Sequence, residues 1–133
     1  MSKDNLSSKI SSEIACCSDL LETLFSLGPT EVIIFYSLDE GRWKTVADLS
    51  FLTGKESSTV YRSLQKLVNS GLAVRDVRTL KEGGYYFVYS LLSIDKLSDL
   101  IMKKIESLSQ GMKKLLSDLL SELNSRKEYI SSN

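Results

Sequence analysis

Ser58, Arg62, Gln65 and Asn69 are separated by four, three and four residues, the spacing of a single stripe along a helix. With side chains about 100° apart and Val60 at zero, the four fall between about 140° and 200°. Lys66 and Thr59 lie on one flank of that stripe, and Lys55 and Ser57 stand where the helix begins. Leu64, Leu67 and Val68 fall within about 80° of Val60 and make an inner, packed face. Hydroxyl, guanidinium and amide groups on the outer arc are the types that hydrogen-bond base edges or phosphates in a major groove. On an arbitrary helix the same stripe is only a solvated face, so the surrounding elements decide its meaning.

Other chemistries are excluded by composition. There is no histidine in the 133 residues, which removes Ser-His-Asp and Cys-His catalysis and imidazole-bearing zinc sites. The two cysteines, Cys16 and Cys17, are adjacent and cannot supply a C-x-x-C knuckle or redox pair; they read as small, semi-buried residues on a helix. No nucleophile and base can be assembled, and Gly83-Gly84 reads as a turn rather than a phosphate cradle. The expectation is a non-enzymatic chain without metal or cofactor. Met1 to Ser12 is polar and lacks an apolar targeting core, and the longest uncharged run, Gly83 to Ile94, is far short of the roughly 20 apolar residues of a membrane span. A cytoplasmic, nucleoid-associated protein with no membrane partner is expected.

Seventeen basic and seventeen acidic side chains cancel, but they are not evenly spread. Residues 1–40 carry two lysines against seven acids, whereas residues 41–90 carry eight bases against four acids and residues 91–133 seven against six. The middle is therefore the basic part, and a phosphate backbone senses that local face rather than the net charge.

The elements around the stripe follow from the residues. Ile14, Leu20, Leu21, Leu24, Phe25 and Leu27 predict a first helix over about residues 10–27, broken by Gly28-Pro29. Proline suits the first turn of a second helix, about 29–39, whose Glu31 complements the N-terminal dipole. Trp43 is expected to begin a short strand and to anchor the core. Thr45 with Asp48 has the logic of a capping box for a short third helix, which Gly54 ends. The fourth helix, from about Glu56 to Ser70, carries the stripe, and two helices joined by a tight glycine-containing turn make a helix-turn-helix. Leu72 to Arg78 and Tyr85 to Leu91, joined by Lys81-Glu82-Gly83-Gly84, predict a β-hairpin. Arg78 and Lys81 flank a tip expected to be mobile, which suits phosphate or minor-groove contact.

From Ser93 onward the apolar residues Ile94, Leu97, Ile101, Ile105, Leu108, Met112, Leu115, Leu119 and Leu123 step by three or four, close to a heptad seam with one slip near Ile105. A helix over 94–124 would be roughly 46 Å long, so part of its stripe has to meet another helix or chain. Leu97 through Leu123 are accordingly the expected dimer interface.

Gly28-Pro29-Thr30-Glu31, the run from Ser57 to Leu64 that includes Ser-x-Thr-Val-Tyr-Arg, Leu67 and Ser70-Gly71-Leu72 together resemble the winged-helix domains of archaeal TrmB-type and MarR-like transcription regulators. The resemblance covers about 65 residues, through the wing. It implies a mainly α fold with a small hairpin, a winged helix-turn-helix with a long C-terminal coiled-coil dimerisation helix. Larger TrmB proteins carry a sugar-binding domain after the coiled coil, and this sequence stops at Asn133, so no sugar effector is carried over. The organisation expected is an N-terminal helical extension over 1–27, a DNA-binding domain over 28–92, and a dimerisation helix with its tail over 93–133. The function expected is a homodimeric regulator that binds double-stranded DNA, either sequence-specifically or in a chromatin-like way. The alternative is a winged-helix module that recruits a protein partner and binds DNA weakly or not at all.

Overall fold

The computed structural model describes residues 17–131. The elements are α1 (Cys17–Phe25), α2 (Pro29–Ser37), α3 (Val46–Thr53), α4 (Ser57–Asn69), β1 (Ala73–Thr79), β2 (Tyr85–Leu91) and α5 (Ile94–Ser131). Ile14 and Cys16, expected on the first helix, lie outside the described residues, and Cys17 is an exposed free thiol.

The helix boundaries have local causes. Gly28 precedes Pro29 in extended conformation, and its N–H donates to Glu31 Oε1 at 2.6 Å, so the acid satisfies an amide that the helix leaves open. Thr45 and Asp48 form the reciprocal box: Thr45 N donates to Asp48 Oδ2 at 2.9 Å and Asp48 N to Thr45 Oγ1 at 3.0 Å. Gly54, at φ 72°, ends α3 in the left-handed region that disfavours residues with a Cβ. The second helix stops at Ser37 rather than near 39, because the Asp39 carbonyl is drawn to the sheet, accepting from Leu91 N at 3.0 Å and Ser90 Oγ at 2.8 Å.

The amphipathic reading of α4 holds. Val60, Leu64 and Leu67 are fully buried, and with Ile34 of α2, Leu49 of α3, Leu72, Val88 and Tyr89 they form the core of the winged unit. The buried side chains of that core remove apolar surface from water at about 25 cal/mol per Å², the main force holding the three helices together.

β1 and β2 pair antiparallel, with Arg75 opposite Tyr89, Val77 opposite Phe87 and Arg78 opposite Tyr86. Lys44 and Tyr89 exchange backbone hydrogen bonds of 2.9 and 2.8 Å, which adds one bridge of a third strand beside β2. Lys44 therefore shares the sheet face of Tyr89, and Trp43, one residue earlier, is turned to the opposite face. For that reason Trp43 is not the expected core anchor. It is 40% exposed, and the Arg78 guanidinium lies 5.4 Å from its ring centroid. The hairpin tip is closed by Leu80 N to Gly84 O and Gly83 N to Leu80 O, both 3.1 Å, with Gly83 and Gly84 at positive φ.

The chain divides into two units, one reaching Ser98 and one starting at Asp99. The second is the continuation of α5, which runs seven residues past the expected end at 124. Ile105, Leu108, Met112, Leu115, Leu119 and Leu123 are all exposed on it, as are Met102, Leu116 and Leu120.

Candidate nucleic-acid interface

α4 positions the outer stripe as the spacing predicts. Ser57, Ser58, Arg62 and Asn69 are exposed and Thr59 is half-buried. Arg62 reaches only Thr59 Oγ1, at a long 3.5 Å, and has no carboxylate partner among the described residues. A guanidinium whose donors are still open is the group best suited to bidentate recognition of a base edge or phosphate. Gln65 is half-buried, and its Oε1 has no hydrogen-bond partner among the described residues.

Other expected contact residues also make contacts within the chain. Lys66 Nζ donates to Ser26 O at 2.6 Å and stands 3.8 Å from Glu31 Oε1, so it ties α4 to the α1–α2 junction. Arg78 Nη1 is 2.7 Å from Asp76 Oδ2 while it stacks on Trp43. Lys55 is half-buried beside the turn, where its carbonyl accepts from Ser50 Oγ. Lys81 is exposed at the wing tip. The bonds to Asp76 are also the main reason its carboxyl is held below the usual range: Arg78 contributes most and the Val77 N–H next.

Arg75 was absent from the expected set. It lies on β1 directly opposite Tyr89, with its guanidinium 4.4 Å from the Phe87 ring centroid. Burial pushes the Tyr89 phenol up, Arg75 opposes that rise and Tyr61 of α4 adds to it, so all three groups sit together at the junction of hairpin and helix. The signal that could have found Arg75 is the period-two alternation of β1, which puts it on the same face as Tyr89.

Comparison with known proteins agrees with this geometry. Residues 28–74 match the model of a family described as bacterial regulatory protein, arsR family. Two uncharacterized proteins of Methanocaldococcus jannaschii are each 29% identical: MJ1503 over 84% of this chain and 83% of its own length, and MJ1082 over 74% and 81%. Among solved structures, one described as "possible transcriptional regulator" from Methanosarcina mazei Go1 superposes with a TM-score of 0.71 at 22% identity, over 80% of this chain and 93% of that one. The ST1889 protein of Sulfolobus tokodaii superposes with a TM-score of 0.57 at 19% identity, over 71% and 93%. The core, the capped helix-turn-helix and the hairpin thus make a winged helix-turn-helix fold, of which residues 28–74 are similar to the arsR-family model.

Proposed function

We propose that the protein binds double-stranded DNA as a homodimeric transcription regulator, each protomer placing α4 in a major groove and the hairpin on the neighbouring backbone or minor groove. The observation that carries this reading is the outer arc of α4, where Ser58, Arg62 and Asn69 are exposed and Arg62 is committed to no acid. Gln65, Thr59, Ser57, Lys55 and Lys81 complete the contact set. In this reading residues 28–92 are the DNA-binding domain and the helix beyond them is the dimerisation element.

Dimerisation is supported by the apolar stripe of α5. Ile105, Leu108, Met112, Leu115, Leu119 and Leu123 expose between 40% and 67% of their surface, a continuous band that favours burial against a second helix. No helix among the described residues is long and apolar enough to cross a membrane. The working location proposed is the nucleoid.

Selection of bound fragments from the organism's own DNA, at two salt concentrations, tests the reading. Enriched duplexes should bind in a salt-dependent manner and should lose affinity when Arg62 is replaced by alanine. Undetectable duplex binding by the intact dimer transfers the function to a protein partner of the winged unit.

A further inference from the structure

Alternation along β1 sorts its two arginines onto opposite faces of the hairpin. Arg78 shares its face with Asp76 and Trp43, and both engage it. Arg75 shares the other face with Phe87 and Tyr89, and no carboxylate pairs with it among the described residues. Its guanidinium stacks 4.4 Å from the Phe87 centroid and hydrogen-bonds the Tyr89 phenol, contacts that hold the fork in place and use only part of its donor set. The buried phenol of Tyr89 is influenced by both Arg75 and Tyr61, which brings the guanidinium to the flank of α4. Tyr61 itself is 46% exposed, one residue before Arg62. A rigid cation thus stands where recognition helix and hairpin meet, on a strand paired along its whole length.

We propose that Arg75 is a phosphate-binding residue, taking a backbone phosphate of the strand that borders the groove entered by α4. The proposal rests on the DNA-binding reading above and adds to it a fixed anchor set back from the wing tip. A planar fork with open donors matches two phosphate oxygens, and its stacked stem has already lost the freedom that a flexible lysine would surrender on binding. Phosphates carry no sequence information, so Arg75 sets affinity and register while the outer arc of α4 reads bases.

The test uses full-length protein and a fluorescein-labelled duplex of random sequence, titrated by anisotropy at several potassium chloride concentrations. Loss of a charge-assisted hydrogen bond in Arg75→Ala should weaken binding roughly tenfold or more at low salt. The slope of log K against log salt should become shallower by about 0.9 for each protomer that loses a phosphate contact. Arg75→Lys should keep the slope and recover only part of the affinity. Circular dichroism checks the fold, and if the alanine variant is unfolded, Arg75→Gln, which keeps most of the stem on Phe87, is read in its place. Unchanged affinity and slope in the Arg75 variants, with Arg62→Ala still weakened, overturns this proposal and leaves the DNA-binding reading standing. A wild-type protein that does not bind the duplex removes both.

Discussion

The ammonium of Lys66 donates to the carbonyl of Ser26 across 2.6 Å, joining positions forty residues apart. Ser26 follows the last residue of α1 and, at φ 57°, is the one described non-glycine residue at positive φ. The contact places a cation on a carbonyl at a helix C-terminus, where the dipole favours positive charge. Glu31 accepts the Gly28 N–H and lies 3.8 Å from the same ammonium, so one lysine links α1, α2 and α4.

Lys66→Ala is therefore expected to act on stability before it acts on DNA. A hydrogen bond to a charged group, discounted for partial exposure, sets a loss of about 1 kcal/mol. Urea denaturation should show the lowered midpoint, while the salt slope of DNA binding stays near that of the wild type. A slope that falls by one per protomer at unchanged stability would instead put this ammonium on a phosphate.

Arg62→Ala should cost roughly 1–3 kcal/mol of binding free energy if the guanidinium meets a base edge, and should relax preference at one position in each half-site. Its exposure and its lack of a carboxylate partner predict an unchanged melting temperature. Equal affinity of Arg62→Ala and the wild type for a selected duplex would contradict this assignment.

Light scattering of the full chain should return twice 14.9 kDa. Leu115→Glu with Leu119→Glu puts two charges into the exposed apolar band of α5 and should yield a monomer of intact helical content. A wild-type monomer at micromolar concentration would refute dimerisation through this helix.

Stability should fall at alkaline pH through Tyr89. Its phenol is raised by burial in the folded state, so the neutral form is favoured there. A group raised on folding contributes stability that is complete below the unfolded value, about 10 for tyrosine, and is lost as pH climbs through the folded one. Tyr89→Phe should lose less stability than the wild type between pH 9 and 11 in urea titrations. Parallel curves would show that Tyr89 ionisation plays no part.

The local parts of this fold were legible because their causes are local. Thr45 and Asp48 cap α3 across three residues, Gly54 turns the chain in place, and the spacing of Val60, Leu64 and Leu67 predicted the buried face of α4. What escaped depends on partners distant in sequence. Periodicity gave Lys66 a flank but not the Ser26 carbonyl, and it gave Trp43 a strand but not the bridge of Lys44 to Tyr89 that turns the indole outward. Arg75 lies within β1 rather than at the wing tip, and its stack on Phe87 depends on the β1–β2 register. The outer arc of α4 follows from helical spacing and residue types, and Ser58, Arg62 and Asn69 are exposed there.

The two long edges of the hairpin are not equivalent. Lys44 occupies part of the outer edge of β2, whereas among the described residues β1 has only β2 beside it. An unpaired edge invites another chain to extend the sheet, and Arg75, Asp76 and Arg78 put three charges within four residues of that edge. Any incoming strand would have to desolvate them, so these charges discourage the protein from polymerising through its wing.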